Sequence, residues 1–96
     1  HLTREDFLHI ADIMLEELRE SLKARELTFT WTDDVRQHLV EDAFSVTYGA
    51  RNLRRVIQKE LEDPVSEAII DSFEKPISGV SARMEDGTLK LDIQHP

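Results

Sequence analysis

The stretch Tyr48-Gly49-Ala50-Arg51-Asn52-Leu53-Arg54-Arg55 organises the rest of the chain, because it predicts a glycine turn that leads directly into a helix. Gly49 permits a positive φ or a close backbone approach that a Cβ would oppose. Helix-forming residues follow, and apolar side chains recur on one face at the helical period, at Leu53, Val56, Ile57 and Leu61. We therefore predict a helix that begins just after Gly49 and packs this face on the core.

The charge at the start of this helix is unusual. Arg51, Arg54 and Arg55 lie in its first turns, where the helix dipole is already positive and each cation costs about a few tenths of a kcal/mol. Together with Gln58 they share the polar face. Two interpretations are open on this pattern alone. The arginines pair with some of the chain's many carboxylates, or a guanidinium and the free N–H groups of the helix bind a phosphate oxygen.

The same stretch resembles the C-terminal small subdomain of the Clp-type AAA+ unfoldases and disaggregases (ClpA, ClpB and ClpC). The matching residues are Gly49-Ala50-Arg51, Leu53, Arg55, Ile57-Gln58 and Asp63-Pro64, and the resemblance extends from about Leu2 to the final strand. It implies that Arg51 is the second sensor, which reaches the γ-phosphate of ATP held by the adjoining large subdomain. Where the family usually has Gly-Tyr-Asp-Pro, this chain has Ala43-Phe44-Ser45-Val46, and Asn52 replaces the usual proline after the triplet.

Composition predicts a single small domain that spans residues 1–96. The formal net charge of −8 argues against nucleic-acid binding, which depends on basic surfaces. There is no cysteine, and no apolar stretch approaches the roughly 18 to 20 residues that span a membrane. Because no signal peptide is recognisable and the chain starts with His1, we expect a piece excised from a longer cytoplasmic protein.

The first helix is predicted to begin at Thr3, a suitable N-cap, and to continue to about Ala24. One apolar stripe runs along it, formed by Phe7, Ile10, Ala11, Met14, Leu15, Leu18 and Leu22. Ile13 falls off this stripe. Since the resemblance implies that this helix lies near the adenine, Ile13 joins Ala50 and Arg51 as a candidate nucleotide contact.

The segment Leu27–Trp31 alternates apolar residues with threonines and predicts a half-buried strand. A second helix follows, capped at Thr32 and packed through Val35, Leu39, Val40 and Ala43. Four histidines are scattered along the chain without paired spacing, at His1, His9, His38 and His95. No metal site is predicted from them.

The arginine helix then meets Pro64, where the missing N–H predicts a break or kink near Asp63. Its apolar phase nevertheless continues in steps of four, through Leu53, Ile57, Leu61, Val65, Ile69 and Phe73. Asp86-Gly87 between two alternating runs predicts a final β-hairpin. The predicted fold is therefore α+β, in the order helix, strand, helix, kinked helix and hairpin, with one small three-stranded sheet packed on the helices. The strand order does not follow from these patterns.

The chain lacks the motifs of a complete ATPase site. It contains neither a Gly-x-x-x-x-Gly-Lys-Ser/Thr phosphate loop nor an apolar strand ending in an Asp-Glu pair that would hold magnesium. No cysteine nucleophile or Gly-x-Ser-x-Gly elbow is present either. We expect no ATP turnover from this chain alone.

The resemblance implies a lid that closes over ATP and magnesium, which are bound mainly by the large subdomain of the same protein. Its further implied partners are neighbouring subunits of a homohexamer, unfolded protein substrates and a Clp peptidase, with no nucleic acid and no membrane. The segment Leu61–Glu67 is more similar to the ClpC type, which serves a peptidase, than to the ClpB type. Two alternatives stay open, namely a ClpB-type disaggregase and a freestanding α+β module that binds a protein through an acidic face.

Overall fold

The computed structural model describes residues 3–44, 50–72 and 75–96. Its elements are α1 (Arg4–Lys23), β1 (Thr28–Trp31), α2 (Asp33–Phe44), α3 (Ala50–Ile57), a π-helical turn (Gln58–Glu62), α4 (Asp63–Asp71), β2 (Gly79–Glu85) and β3 (Thr88–Gln94). This is the predicted α+β order. The expected turn at Gly49 and the last apolar position, Phe73, lie outside the described residues. No described helix is both long enough and apolar enough to cross a lipid bilayer.

The three strands form one sheet in the order β1-β2-β3, in which β1 and β2 are parallel and β2 and β3 are antiparallel. The hairpin between β2 and β3 turns at Asp86-Gly87, whose φ angles of 51° and 76° are both positive. Two central residues with positive φ define the tight turn that matches the twist of paired strands. The predicted hairpin is confirmed, and in it Val80 lies opposite Ile93 and Ala82 opposite Leu91.

Gly79 allows β1 and β2 to pair closely. It lies opposite Thr28 in the parallel register, and a Cβ on Gly79 would sit 2.1 Å from Thr28 Oγ1. A side chain at this position would require the Thr28 side chain to move, and its Cβ would also lie 3.1 Å from the Thr28 carbonyl oxygen. Glycine therefore suits the position where the hairpin adds to β1, a pairing that the alternating pattern did not reveal.

The core lies between the sheet and the helices, and all of its fully buried residues are apolar. In the described ranges they are Phe7, Ala11, Leu15, Leu22, Leu27, Phe29, Val35, Leu39, Val40, Ala43, Leu53, Ile57, Leu61, Val65, Val80 and Ala82. Trp31 is half-buried at the margin of this core, with its ring 5.4 Å from that of Phe29 and the Arg19 guanidinium 4.8 Å from its centroid. The predicted stripe of α1 and the predicted face of α2 are both confirmed.

A wide helical turn lies where a break or kink was expected, just before Pro64. The Asp63 N–H donates to the carbonyl of Gln58, five residues earlier, which is the π-helical pattern. Pro64 follows at the start of α4, and a wider turn makes room for its ring, which in a regular helix would clash with the carbonyl four residues back. From Ala50 to Asp71 the described helical elements therefore follow one another without a gap.

Candidate functional site

The first turn of α3 is held against the core from one side only. Leu53 and Ile57 are 0% and 2% exposed and anchor the apolar face of the helix. Arg51, Arg54 and Arg55 are all exposed on its other side. Burial of two aliphatic side chains stabilises the helix far more than a few unfavourable charges at its start destabilise it. The fold can therefore carry arginines at a position where helix stability alone would favour acids.

Asn52 fixes where α3 begins relative to α2. Its Nδ2 donates to the carbonyl of Ala43 at 3.1 Å, in the last turn of α2. Carbonyls in the last turn of a helix have no partner within that helix, so this bond satisfies one of them. It joins the two helices across residues 45–49, which lie outside the described residues. A proline at this position would fix the backbone at the start of the helix. Asn52 instead connects that start to α2 through a hydrogen bond.

The arginines of α3 make no ion pair with a carboxylate of the described ranges. Within residues 3–44, 50–72 and 75–96, the arginines that form ion pairs with carboxylates are Arg4, Arg19, Arg36 and Arg83. The described carboxylates therefore do not neutralise Arg51, Arg54 or Arg55, and pairing within the chain finds no support there. Arg51, in the first turn, combines an exposed guanidinium with a helix start, which is a favourable setting for an anion.

Ile13 lies on an exposed, acidic part of α1. Ile13 is 51% exposed on α1, and its neighbours on that surface are carboxylates, among them Asp12, Glu16 and Glu20. The exposure agrees with its predicted position off the apolar stripe. An acidic surround suits contact with an uncharged or basic group better than contact with a phosphate.

A groove of about 510 Å³ separates α1 from the helical run that starts with α3. Leu18, Leu22 and Val65 contribute apolar walls, and Arg54 and Glu62 bring opposite charges to it. Neither Ala50 nor Arg51 lines this groove. This groove therefore does not bring the three predicted nucleotide contacts together.

The structure also assembles a polar cluster that the sequence did not predict. His38 on α2 lies 2.9 Å from Glu60 on the π-helical turn and 3.8 Å from Asp42 on its own helix. The four-residue spacing of His38 and Asp42 on a helix was the available signal. Glu60 could not be added to the pair because its position depends on how the π-helical turn packs against α2.

Comparison with known proteins identifies relatives over most of the chain. Residues 2–82 match the family model described as the C-terminal, D2-small domain, of ClpB protein. A "Chaperone protein ClpB" of Brucella suis biovar 1 is 44% identical over 69 residues, which are 72% of this chain and 8% of that protein. An "ATP-dependent Clp protease ATP-binding subunit ClpA homolog CD4B, chloroplastic" of Solanum lycopersicum is 41% identical over 69 residues, with the same two coverages.

A longer match covers nearly the whole chain. An "ATP-dependent Clp protease ATP-binding subunit ClpA homolog" of Trieres chinensis is 35% identical over 91 residues, which are 93% of this chain and 10% of that protein. The chain thus spans about a tenth or less of the length of the curated relatives it matches. Relatives named as chaperones and relatives named as protease subunits match at similar identity, so the comparison does not separate these two types.

Proposed function

Because this chain belongs to the family of C-terminal D2-small domains of Clp-type chaperones, we propose that it is the lid of an ATP site in a longer AAA+ ATPase. Arg51 is the residue that we assign to the γ-phosphate, with Ala50 beside it in the same turn. The observation that carries this assignment is the start of α3. There an exposed arginine, unpaired with any described carboxylate, lies on a helix that Leu53 anchors in the core.

The lid would act through the positive charge of Arg51. During phosphoryl transfer, negative charge develops on the γ-phosphoryl oxygens, and a guanidinium that contacts them stabilises the transition state. The large subdomain, outside this chain, would hold ATP and magnesium. Loss of the γ-phosphate removes the contact of Arg51, so the lid is free to rotate and to pass the motion on to neighbouring subunits of a hexamer.

The substrates that we propose are unfolded polypeptides, and the partner is a Clp peptidase. The proposal of a peptidase partner is supported by relatives that are named as ATP-binding subunits of a Clp protease. Relatives named as ClpB support the alternative, a disaggregase that works without one. Adding a Clp peptidase to the full-length protein distinguishes them, because only the first type degrades a folded substrate when ATP is supplied.

The assignment of Arg51 is tested in the full-length ATPase by Arg51→Ala. Removing a charge-assisted contact to a phosphate in a dry site costs about 2–4 kcal/mol of transition-state stabilisation, or roughly a 30- to 1000-fold loss of rate. Arg51→Lys should restore little activity, since an ammonium does not reproduce the planar guanidinium. ATP hydrolysis and substrate unfolding at saturating ATP are the two measurements.

Arg54→Ala is the matched control, because Arg54 is also exposed and lies one turn further along α3. We expect it to keep near wild-type ATP hydrolysis. The 96-residue chain with Arg51→Ala should melt within a few degrees of wild type, which separates loss of function from loss of fold. Full-length Arg51→Ala with both activities within twofold of wild type would refute the sensor role.

A further inference from the structure

Three potential metal ligands from two helical elements converge beside α2. His38 and Asp42 lie one turn apart on α2, and Glu60 reaches them from the π-helical turn. One ligand atom from each side chain lies within 4.8 Å of the other two. The cluster therefore combines an imidazole nitrogen with two carboxylate oxygens at one point of the surface.

A simple hydrogen bond accounts for only part of this arrangement. His38 Nε2 and Glu60 Oε1 are 2.9 Å apart, so one oxygen of Glu60 is satisfied. The other oxygen, Oε2, is buried and has no hydrogen-bond partner among the described residues. A buried carboxylate oxygen without a partner is unfavourable, and a cation bound by the same carboxylate would remove that penalty.

We propose that His38, Asp42 and Glu60 form a binding site for a divalent cation of the zinc class. Zinc binds imidazole nitrogen and carboxylate oxygen at about 2.0–2.2 Å, which places its donor atoms about 3–3.6 Å apart. The distances of 2.9 Å and 3.8 Å from His38 lie on either side of that range. Because the Asp42 side chain is 51% exposed, it has room to close the longer distance.

The donor set also decides between metals. Imidazole with carboxylates suits zinc and neighbouring first-row ions, whereas magnesium and calcium prefer oxygen ligands alone. Three protein ligands leave a coordination position for water. Such a site would tie α2 to the π-helical turn, and it is independent of the role proposed for Arg51.

The test is a calorimetric titration of the 96-residue chain with zinc chloride after treatment with a chelator. His1→Ala serves as the background for all variants, since a histidine beside a free terminal amine chelates metals by itself. We expect saturable 1:1 binding that Asp42→Asn and Glu60→Gln each weaken by about tenfold or more. Asp42 is half-exposed, so its replacement by the isosteric amide leaves the fold intact, as circular dichroism would verify.

His9→Ala is the matched control, since His9 is exposed on α1 outside the cluster. It should leave the zinc affinity unchanged, and a large excess of magnesium should not compete. Absence of saturable zinc binding above the background would overturn the proposal. Binding that is insensitive to both Asp42→Asn and Glu60→Gln would overturn it as well, and would leave His38 and Glu60 as a hydrogen-bonded pair.

Discussion

Helices α1 and α3 begin in opposite ways. At the start of α1, Thr3 Oγ1 accepts a hydrogen bond from the Asp6 N–H at 3.1 Å, and the Thr3 N–H donates to Asp6 Oδ2 at 2.9 Å. This reciprocal pair satisfies two backbone donors. The hydrogen bond from the Thr3 N–H stabilises the charged carboxylate and so lowers the pKa of Asp6. Glu5 and Asp6 also place negative charge at the positive end of the dipole. The start of α1 serves the stability of its own helix.

In the described residues, from Ala50 onward, the start of α3 shows none of these features. Its first turn contains no acidic residue, and Arg51 adds positive charge to an end that is already positive. The helix is held instead by Leu53 and Ile57 in the core and by the bond from Asn52 to α2. Helix stability thus accounts for the acids in the first turn of α1 but not for the arginines at the start of α3, and this difference is consistent with the anion contact proposed for Arg51.

The largest expected effect tests whether α3 depends on packing. Leu53→Ala removes a side chain that is fully buried, so we expect the free energy of unfolding to fall by about 2–5 kcal/mol. Urea denaturation of the 96-residue chain measures this change. The control is Arg54→Ala at the next position, which should stay within about 0.5 kcal/mol of wild type. If both variants lost similar stability, α3 would not be held chiefly by its apolar face.

The second prediction concerns the cap of α1. Thr3→Ala removes an N-cap acceptor and should lower the free energy of unfolding by about 1 kcal/mol. Ser21→Ala, at an exposed position inside the same helix, is the control and should be neutral or slightly stabilising. Equal effects of the two substitutions in urea denaturation would mean that the capping box contributes nothing.

The pH dependence of stability should report the same cap. Because the folded state lowers the pKa of Asp6 below its ordinary value of 3.8, the contribution of Asp6 is complete above that value. It is lost as the pH falls through the lower pKa of the folded state. In the Asp6→Asn variant, the free energy of unfolding should therefore fall less steeply as the pH is lowered. The difference from wild type should be smallest at the lowest pH, where Asp6 is protonated in both states. A curve of unchanged shape would show that Asp6 is uncoupled from folding.

Most of the fold was predictable because local patterns and tertiary packing agree. The apolar stripe of α1, the alternation around Phe29 and the Asp86-Gly87 turn each specify one structure by themselves. The strand order was not predictable in this way. It depends on the parallel pairing of β1 with β2, in which Thr28 lies opposite Gly79, and nothing in the sequence pairs two residues so far apart.

The π-helical turn left a trace in the sequence that can be explained only with the structure. Leu53, Ile57, Leu61 and Val65 are all buried at steps of four, although a regular helix has 3.6 residues per turn. One wider turn realigns them on a common face.

The candidate site was likewise predictable only in part. Arg51 was indicated by family resemblance, and its exposure follows from the polar face, but the bond from Asn52 to Ala43 depends on how two helices pack.

The smallest expected effect tests the comparison of the two helix starts most directly. Arg51→Glu places an acid in the first turn of α3, so the 96-residue chain should gain about 0.3–1 kcal/mol, visible as a melting temperature raised by a few degrees. Glu5→Arg makes the opposite exchange in α1 and should lose a similar amount. In the full-length ATPase, Arg51→Glu should abolish ATP hydrolysis despite the more stable domain, because a carboxylate repels the γ-phosphate. Destabilisation of the 96-residue chain by Arg51→Glu would instead give Arg51 a structural role within the domain, and the charge at the start of α3 would then need no external anion.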